Sequence, residues 1–321
     1  MPLDQPAQPP RARIATLSQG IRLLEQKCSA QNAPNPTAQK HCVREKSAPL
    51  FLPGLEDFMR AMPNHIARSS LFAPLARGRK IQHKNTVLVS RRDAVIKYSG
   101  EQLDEAKSDV WLHAMHEAIK HGPLGETITL NRAAFLRAIG RDTGSTQYAW
   151  LHQAMLELSF GMITIEATKA GVNKLQIGRT RALHLIEGFD YDDELEAYTY
   201  RIDPRWGELY SNREFALIHW DKRLQISQGQ DMAKAIQRLV ATSADIEQRY
   251  SLDWLKAKLL YTSPTRKFRG ALLSALEELE RLEIIADARL EHSTKGKEQA
   301  RWQKFVHRSK SHRHSVPPVS A

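Results

Sequence analysis

A chain of 321 residues can hold two or more domains, each with its own core. Lys and Arg number 47 against 36 Asp and Glu, and the resulting net charge of +11 suits a polyanionic partner. No apolar run reaches membrane-span length and no signal peptide opens the chain, so a soluble, cytoplasmic protein without a membrane partner is expected.

Residues 1–53 carry eight of the 15 prolines and are rich in Ala, Gln and Ser, the composition of a flexible leader. Cys28 and Cys42, with His41, fall short of the four clustered ligands of a structural zinc, so neither metal nor cofactor is expected. The leader ends in a small apolar plug, Ser47-Ala48-Pro49-Leu50-Phe51-Leu52-Pro53, which reads either as a partner anchor or as the first residues of the fold.

Residues 55–72 read as two short helices meeting at Met62-Pro63. A hairpin follows around Arg91-Arg92-Asp93, then a helix over 103–121 and a strand at 127–130. Asn131 caps a helix that Gly140 ends, and a further helix spans 146–160 before a hairpin at 162–185. Helix, strand, helix, turn, helix, hairpin is the order of a winged-helix domain. Strands at 184–189 and 198–202 pair around an acidic turn and connect the halves. The same order then recurs: a long helix over 227–243, a helix-turn-helix over 251–282, and strands at 284–290 and 300–306. The expected fold is α+β: a leader (1–53), two tandem winged-helix domains (54–205 and 206–308) and a basic tail (309–321).

The segment 251–282 carries the chemistry. Ser251 can cap a helix with Leu252, Leu255 and Leu259 on one stripe, and Thr262-Ser263-Pro264 breaks that helix and starts another. In the second helix Phe268, Leu272, Ala275, Leu276, Leu279 and Leu282 share a core face. Arg266, Gly270 and Ser274 lie opposite, with Lys267 and Arg269 on the flanks and Thr265 at the start. Cations in the first two turns and acids beyond them suit a helix entering the major groove by its N-terminal half. A glycine inside a helix costs about 1 kcal/mol, and a close approach to DNA would account for Gly270. Lys295 and Lys297 place charge on the wing. The helix at 146–160 has no Lys or Arg, so base reading belongs to the second domain. The first domain is expected to add backbone contacts from Lys169, Lys174, Arg179 and Arg181, and a surface for self-association on which Trp150, off the core stripe, is a candidate.

Catalysis is not expected. A phosphate-cradling Gly-rich loop ending in Lys-Ser/Thr is absent, and His312 and His314 lie in a polar tail without a nucleophilic tyrosine beside them. The acids Asp190, Asp192, Asp193, Glu194 and Glu196 read as a solvated hairpin tip rather than a metal or nuclease site.

The run M-R-A-M-P-N-x-x-A-R-S-x-L-F at residues 59–72 resembles the matching segment of TrfA-type plasmid replication initiators. The resemblance continues in Lys80-Ile81, Gln82, Lys84-Asn85, Pro123-Leu124-Gly125-Glu126, Ile128-Thr129, Ala182-Leu183-His184 and Thr265-Arg266-x-Phe268-Arg269, over about residues 50–290. It implies a protein that reads repeated duplex origin sites (iterons) with its second winged helix and dimerises through its first. It also implies help in opening A·T-rich origin DNA, contact with the single strands so formed, and recruitment of the host replicative helicase and sliding clamp. Initiators of this type carry a Q-L-S-L-F clamp motif, which Leu50 and Phe51 match while Ser47 stands at the Gln position. A winged-helix transcriptional repressor without initiation activity is the alternative.

Overall fold

The computed structural model describes residues 50–75, 81–91, 93–167 and 180–305, so the expected leader up to 49 and the tail from 306 lie outside the described residues. The first element departs from expectation. Met59–Pro63 is a strand, β1, and only Asn64–Arg68 (α1) is helical. Met, Arg and Ala are good helix formers, but β1 pairs antiparallel with β11, Phe215–His219, far along the chain. That pairing buries Arg60, Ala61 and Met62, and the long-range ladder overrides local preference.

Phe72–Ala73 (β2) pairs in parallel with Leu103–Asp104 (β5). Gln82–Val87 (β3), Ala94–Glu101 (β4), Met162–Ala167 (β7) and Thr180–His184 (β8) form a four-stranded antiparallel sheet in that order. Its inner face alternates as a half-buried strand should, with Ala94, Ile96, Tyr98, Ile163, Ile165 and Leu183 inside. Glu105–His121 (α2) is capped by Asp104, whose carboxylate accepts from the Lys107 amide at 2.9 Å. Ile128–Asn131 (β6) leads into Arg132–Ala138 (α3), where the Asn131 side chain accepts from the amides of Ala133 and Ala134. Ser145–Phe160 (α4) follows. Gly188–Asp192 (β9) and Ala197–Arg201 (β10) then join β6 in a three-stranded sheet of order β6-β10-β9.

The hairpin expected to serve α4 at 162–185 therefore belongs elsewhere. Its described strands β7 and β8 extend the sheet of β4, and β9–β10 packs beside α4 instead. His152 of α4 sits among Phe189, Tyr191 and Tyr198, with ring centroids 5.5 to 6.1 Å apart.

After 3-10 turns across Pro204–Arg213 and β11 come Trp220–Leu224 (α5), Asp231–Ala241 (α6), Glu247–Ser251 (β12), Leu252–Lys258 (α7) and Thr265–Arg281 (α8). Ile285–His292 (β13) and Glu298–Lys304 (β14) close a second three-stranded sheet, β12-β14-β13. Its strand order repeats that of β6-β10-β9: first, third, second.

Two cores result. The first runs from Leu52 to Trp220 and includes Trp206, Leu209, Tyr210, Ala216 and Ile218, residues assigned from sequence to the second domain. Trp206 packs on Trp111 at 5.2 Å and donates to the His184 carbonyl at 2.9 Å, which fixes it in the first core. The second core begins only at Ile226 and gathers α6, α7, α8 and Trp302.

Between the cores lies a buried ion cluster. Arg223 of α5 donates to Glu105 at 3.0 Å and to Asp109 at 2.5 Å, both acids being on α2. Arg238 of α6 pairs with Glu105, and Lys234 reaches Asp109 at 2.7 Å. Burial alone would raise the Glu105 carboxyl, but Arg238 and Arg223 hold it below its ordinary value. Removing one charge leaves the others uncompensated. Glu105→Gln is expected to lower stability by about 3–5 kcal/mol, read by urea denaturation; a loss within the scatter of a surface substitution would show that the cluster does not hold the halves together.

Candidate nucleic-acid interface

The α7–α8 segment forms as its sequence indicates. Ser251 Oγ accepts from the Trp254 amide at 3.3 Å, and Leu252, Leu255 and Leu259 are buried. Leu260 turns the chain with φ +50°, and Pro264 stands at the N-cap of α8. Phe268, Leu272, Ala275, Leu276 and Leu279 pack into the second core, so α8 presents Arg266, Lys267, Gly270, Leu273, Ser274 and Glu277 outward.

Arg266 and Lys267 are exposed and have no side-chain partner among the described residues. A Cβ built on Gly270 would meet nothing within 4 Å, so the fold itself gives no reason for the missing side chain. Lys295 and Lys297 sit at the exposed tip of the β13–β14 hairpin. The Ser293 amide donates to the Lys297 carbonyl at 2.8 Å, and Gly296 takes φ +70° to close the turn. Neither lysine has a side-chain partner among the described residues.

Three other expected contacts are engaged within the chain. Arg269, expected free on the flank of the helix, pairs with Glu298 of β14 and so fastens α8 to the hairpin. Thr265 Oγ1 accepts from Lys256 Nζ at 3.4 Å, and Ser274 Oγ accepts from Gln230 Nε2 at 3.1 Å. Of the expected cations among the described residues, Arg266, Lys267, Lys295 and Lys297 have no partner, and they are grouped on one helix and the hairpin fastened to it.

In the first half Lys169, Lys174 and Arg179 lie outside the described residues. Arg181 faces inward, paired with Glu208 at 2.6 Å and donating to the Arg205 carbonyl. Sequence reading found no cation in α4, yet two are lent to it. Arg132, the first residue of α3, lies 4.0 Å over the Tyr148 ring, and Arg141 of the α3–α4 turn lies 3.5 Å over Trp150 while donating to Gln147. A count within the helix could not find them; only the packing of α3 on α4 could. Trp150 is half-buried against its own core beneath Arg141, which removes the reason for placing it between subunits. The acidic tip is a hairpin turn, with Asp192 accepting from the amides of Glu194 and Leu195 at 2.9 Å and Glu196 paired to Arg132.

The plug divides. Leu50 and Leu52 pack on the first core, whereas Phe51 points outward at 84% exposure. Leu50 and Phe51 therefore do not present one joint face.

An α+β fold that holds two unpaired cations at the start of an exposed helix beside a cationic hairpin tip describes a class; kinship narrows it. Residues 18–292 match the family described as TrfA protein, and the chain belongs to that family. It is 25% identical over 216 residues to the plasmid replication initiator protein TrfA of Escherichia coli, covering 65% of this chain and 54% of that protein. Over 188 residues it is 26% identical to the replication protein RepA of Salmonella typhi, covering 57% and 51%. The chain thus spans about half the length of the curated relatives it matches. Among solved structures it is similar to domain 2 and domain 3 of RctB, with a TM-score of 0.49, 12% identity and coverage of 73% of this chain and 95% of that one.

Gly270 makes a measurable demand on the fold. With φ in the helical range and open space around it, Gly270→Ala is expected to raise stability by about 0.4–1 kcal/mol. A loss of stability in urea denaturation would mean that the position is crowded after all.

Proposed function

We propose that this chain is a plasmid replication initiator that reads repeated duplex sites at its origin. The reading element is a winged-helix domain over 226–305, with α8 in the major groove and the β13–β14 hairpin as the wing along the adjacent backbone. The observation that carries this reading is the set of unpaired cations, Arg266 and Lys267 on α8 with Lys295 and Lys297 on the hairpin tip, in a chain of the TrfA family. Arg266 faces outward toward base edges, and the lysines supply the sequence-independent attraction to phosphate.

The first half has the same strand order and packs as a second winged helix, with α4 in the helix position and β9–β10 as its wing. That wing ends in Asp192, Asp193 and Glu194, beside Glu196 that Arg132 already pairs, so it repels phosphate where the other attracts it. This half contributes Arg132 and Arg141 beside α4 and a surface for self-association. Binding energy and bending assist opening of nearby A·T-rich DNA, and the host helicase and sliding clamp are then recruited, with Phe51 the exposed member of the clamp-like segment. No step assigned here is catalytic. Family membership supports initiation over a repressor role.

Three variants test the reading. Arg266→Ala should cost about 1–3 kcal/mol of affinity and relax preference for the repeat. Lys297→Ala should weaken binding to all sequences alike and reduce the salt slope by about one. Gly270→Ala should weaken repeat binding although it stabilises the fold. Equal, sequence-independent losses for Arg266→Ala and Lys297→Ala in gel shifts across a salt series would contradict base reading by α8.

A further inference from the structure

The outward face of α8 carries one side chain that neither charge nor hydrogen bonding explains. Leu273 is 39% exposed. At helical spacing it falls on the outer line with Arg266, Gly270 and Glu277, all exposed. Both flanks of that line are tethered, Ser274 by Gln230 on the side of α6 and Arg269 by Glu298 on the side of the hairpin. Toward the helix start the line is open, since nothing stands near the missing Cβ of Gly270. A lone exposed leucine is ordinary on a protein surface. The position of this one is not: it occupies the middle of the face that Arg266 opens. The major groove shows one apolar feature, the C5 methyl of thymine, and apolar side chains read it by contact.

Building on the DNA-reading role proposed above, we infer that Leu273 reads a thymine methyl group in the same site where Arg266 reads a guanine. Seven residues at a rise of about 1.5 Å separate the two side chains by about 10 Å along the helix. With a base-pair step of about 3.4 Å, the thymine lies about three base pairs from the guanine. Gly270, between them, leaves the intervening base edges room to approach the helix backbone.

Duplexes selected by the full chain from a randomised pool supply the probe. Each thymine of the selected sequence is replaced in turn by deoxyuridine, which removes only the methyl. Each guanine is replaced by 7-deazaguanine, which removes the N7 acceptor. The wild-type chain should bind about fourfold more weakly when one particular thymine loses its methyl, as expected for the burial of one such group. Leu273→Ala should show a comparable loss on the unmodified duplex and no further loss on the deoxyuridine duplex, while Leu273→Met should keep the wild-type sensitivity. The guanine whose 7-deaza effect disappears in Arg266→Ala should map about three base pairs away. A Leu273→Ala chain that binds as tightly as wild type, or that stays sensitive to methyl removal at every position, overturns the contact and leaves the DNA-reading role standing. A pool that yields no preferred sequence overturns the DNA-reading role and the contact with it.

Discussion

The helix on which α8 packs is anchored to the first half at one buried carboxylate. Glu105, at the start of α2, is fully enclosed and accepts from both Arg223 and Arg238, which reach it from α5 and α6. Asp109, one turn further, takes Arg223 again and Lys234. An isolated buried charge would be severely unfavourable, and a salt bridge in that setting specifies geometry more than it adds stability. Here the specified geometry is the seat of α6, the helix on which α8 packs. Lys258 of α7 completes the joint by donating to the Ser69 carbonyl at 3.2 Å, and burial beside Arg238 lowers its ammonium to about 7. The cluster thus joins the two cores at four elements: α2, α5, α6 and α7.

The two halves share a plan and differ in charge. Each has a three-stranded sheet of the same strand order with a long helix beside its hairpin. In the first half the helix meets the hairpin through aromatic rings, His152 among Phe189, Tyr191 and Tyr198. In the second the link is ionic, Arg269 to Glu298. The hairpin tips carry opposite signs, acids at 192–196 and lysines at 295 and 297. On the proposed reading, the negative charge of a duplex backbone would favour the lysine tip over the acidic one before any base is read. One plan used twice can in this way serve two tasks.

How much of this was legible in the sequence follows the range of each interaction. Caps and turns are local, and Asn131, Ser251 and Gly140 stand where their residue types indicate. The amphipathic face of α8 was legible for the same reason. β1 was not, because Met59–Pro63 becomes a strand only through a partner at Phe215–His219. The extent of the first core was hidden likewise, since Trp206 reveals its allegiance only by packing on Trp111. Charge was misread in both directions. Arg269 looked free and is paired, whereas α4 looked bare and has Arg141 over Trp150 and Arg132, itself paired to Glu196, over Tyr148.

The central claim is that the outward face of α8, with the hairpin tip beside it, meets repeated sites on duplex DNA. A guanine methylation-interference footprint on the DNA flanking this gene tests it most directly. The account predicts interference at major-groove guanines that recur at a regular interval, abolished in a chain carrying Arg266→Ala and Lys267→Ala that still folds. An unchanged periodic footprint in that variant, or a wild-type pattern with no periodic interference, would contradict it.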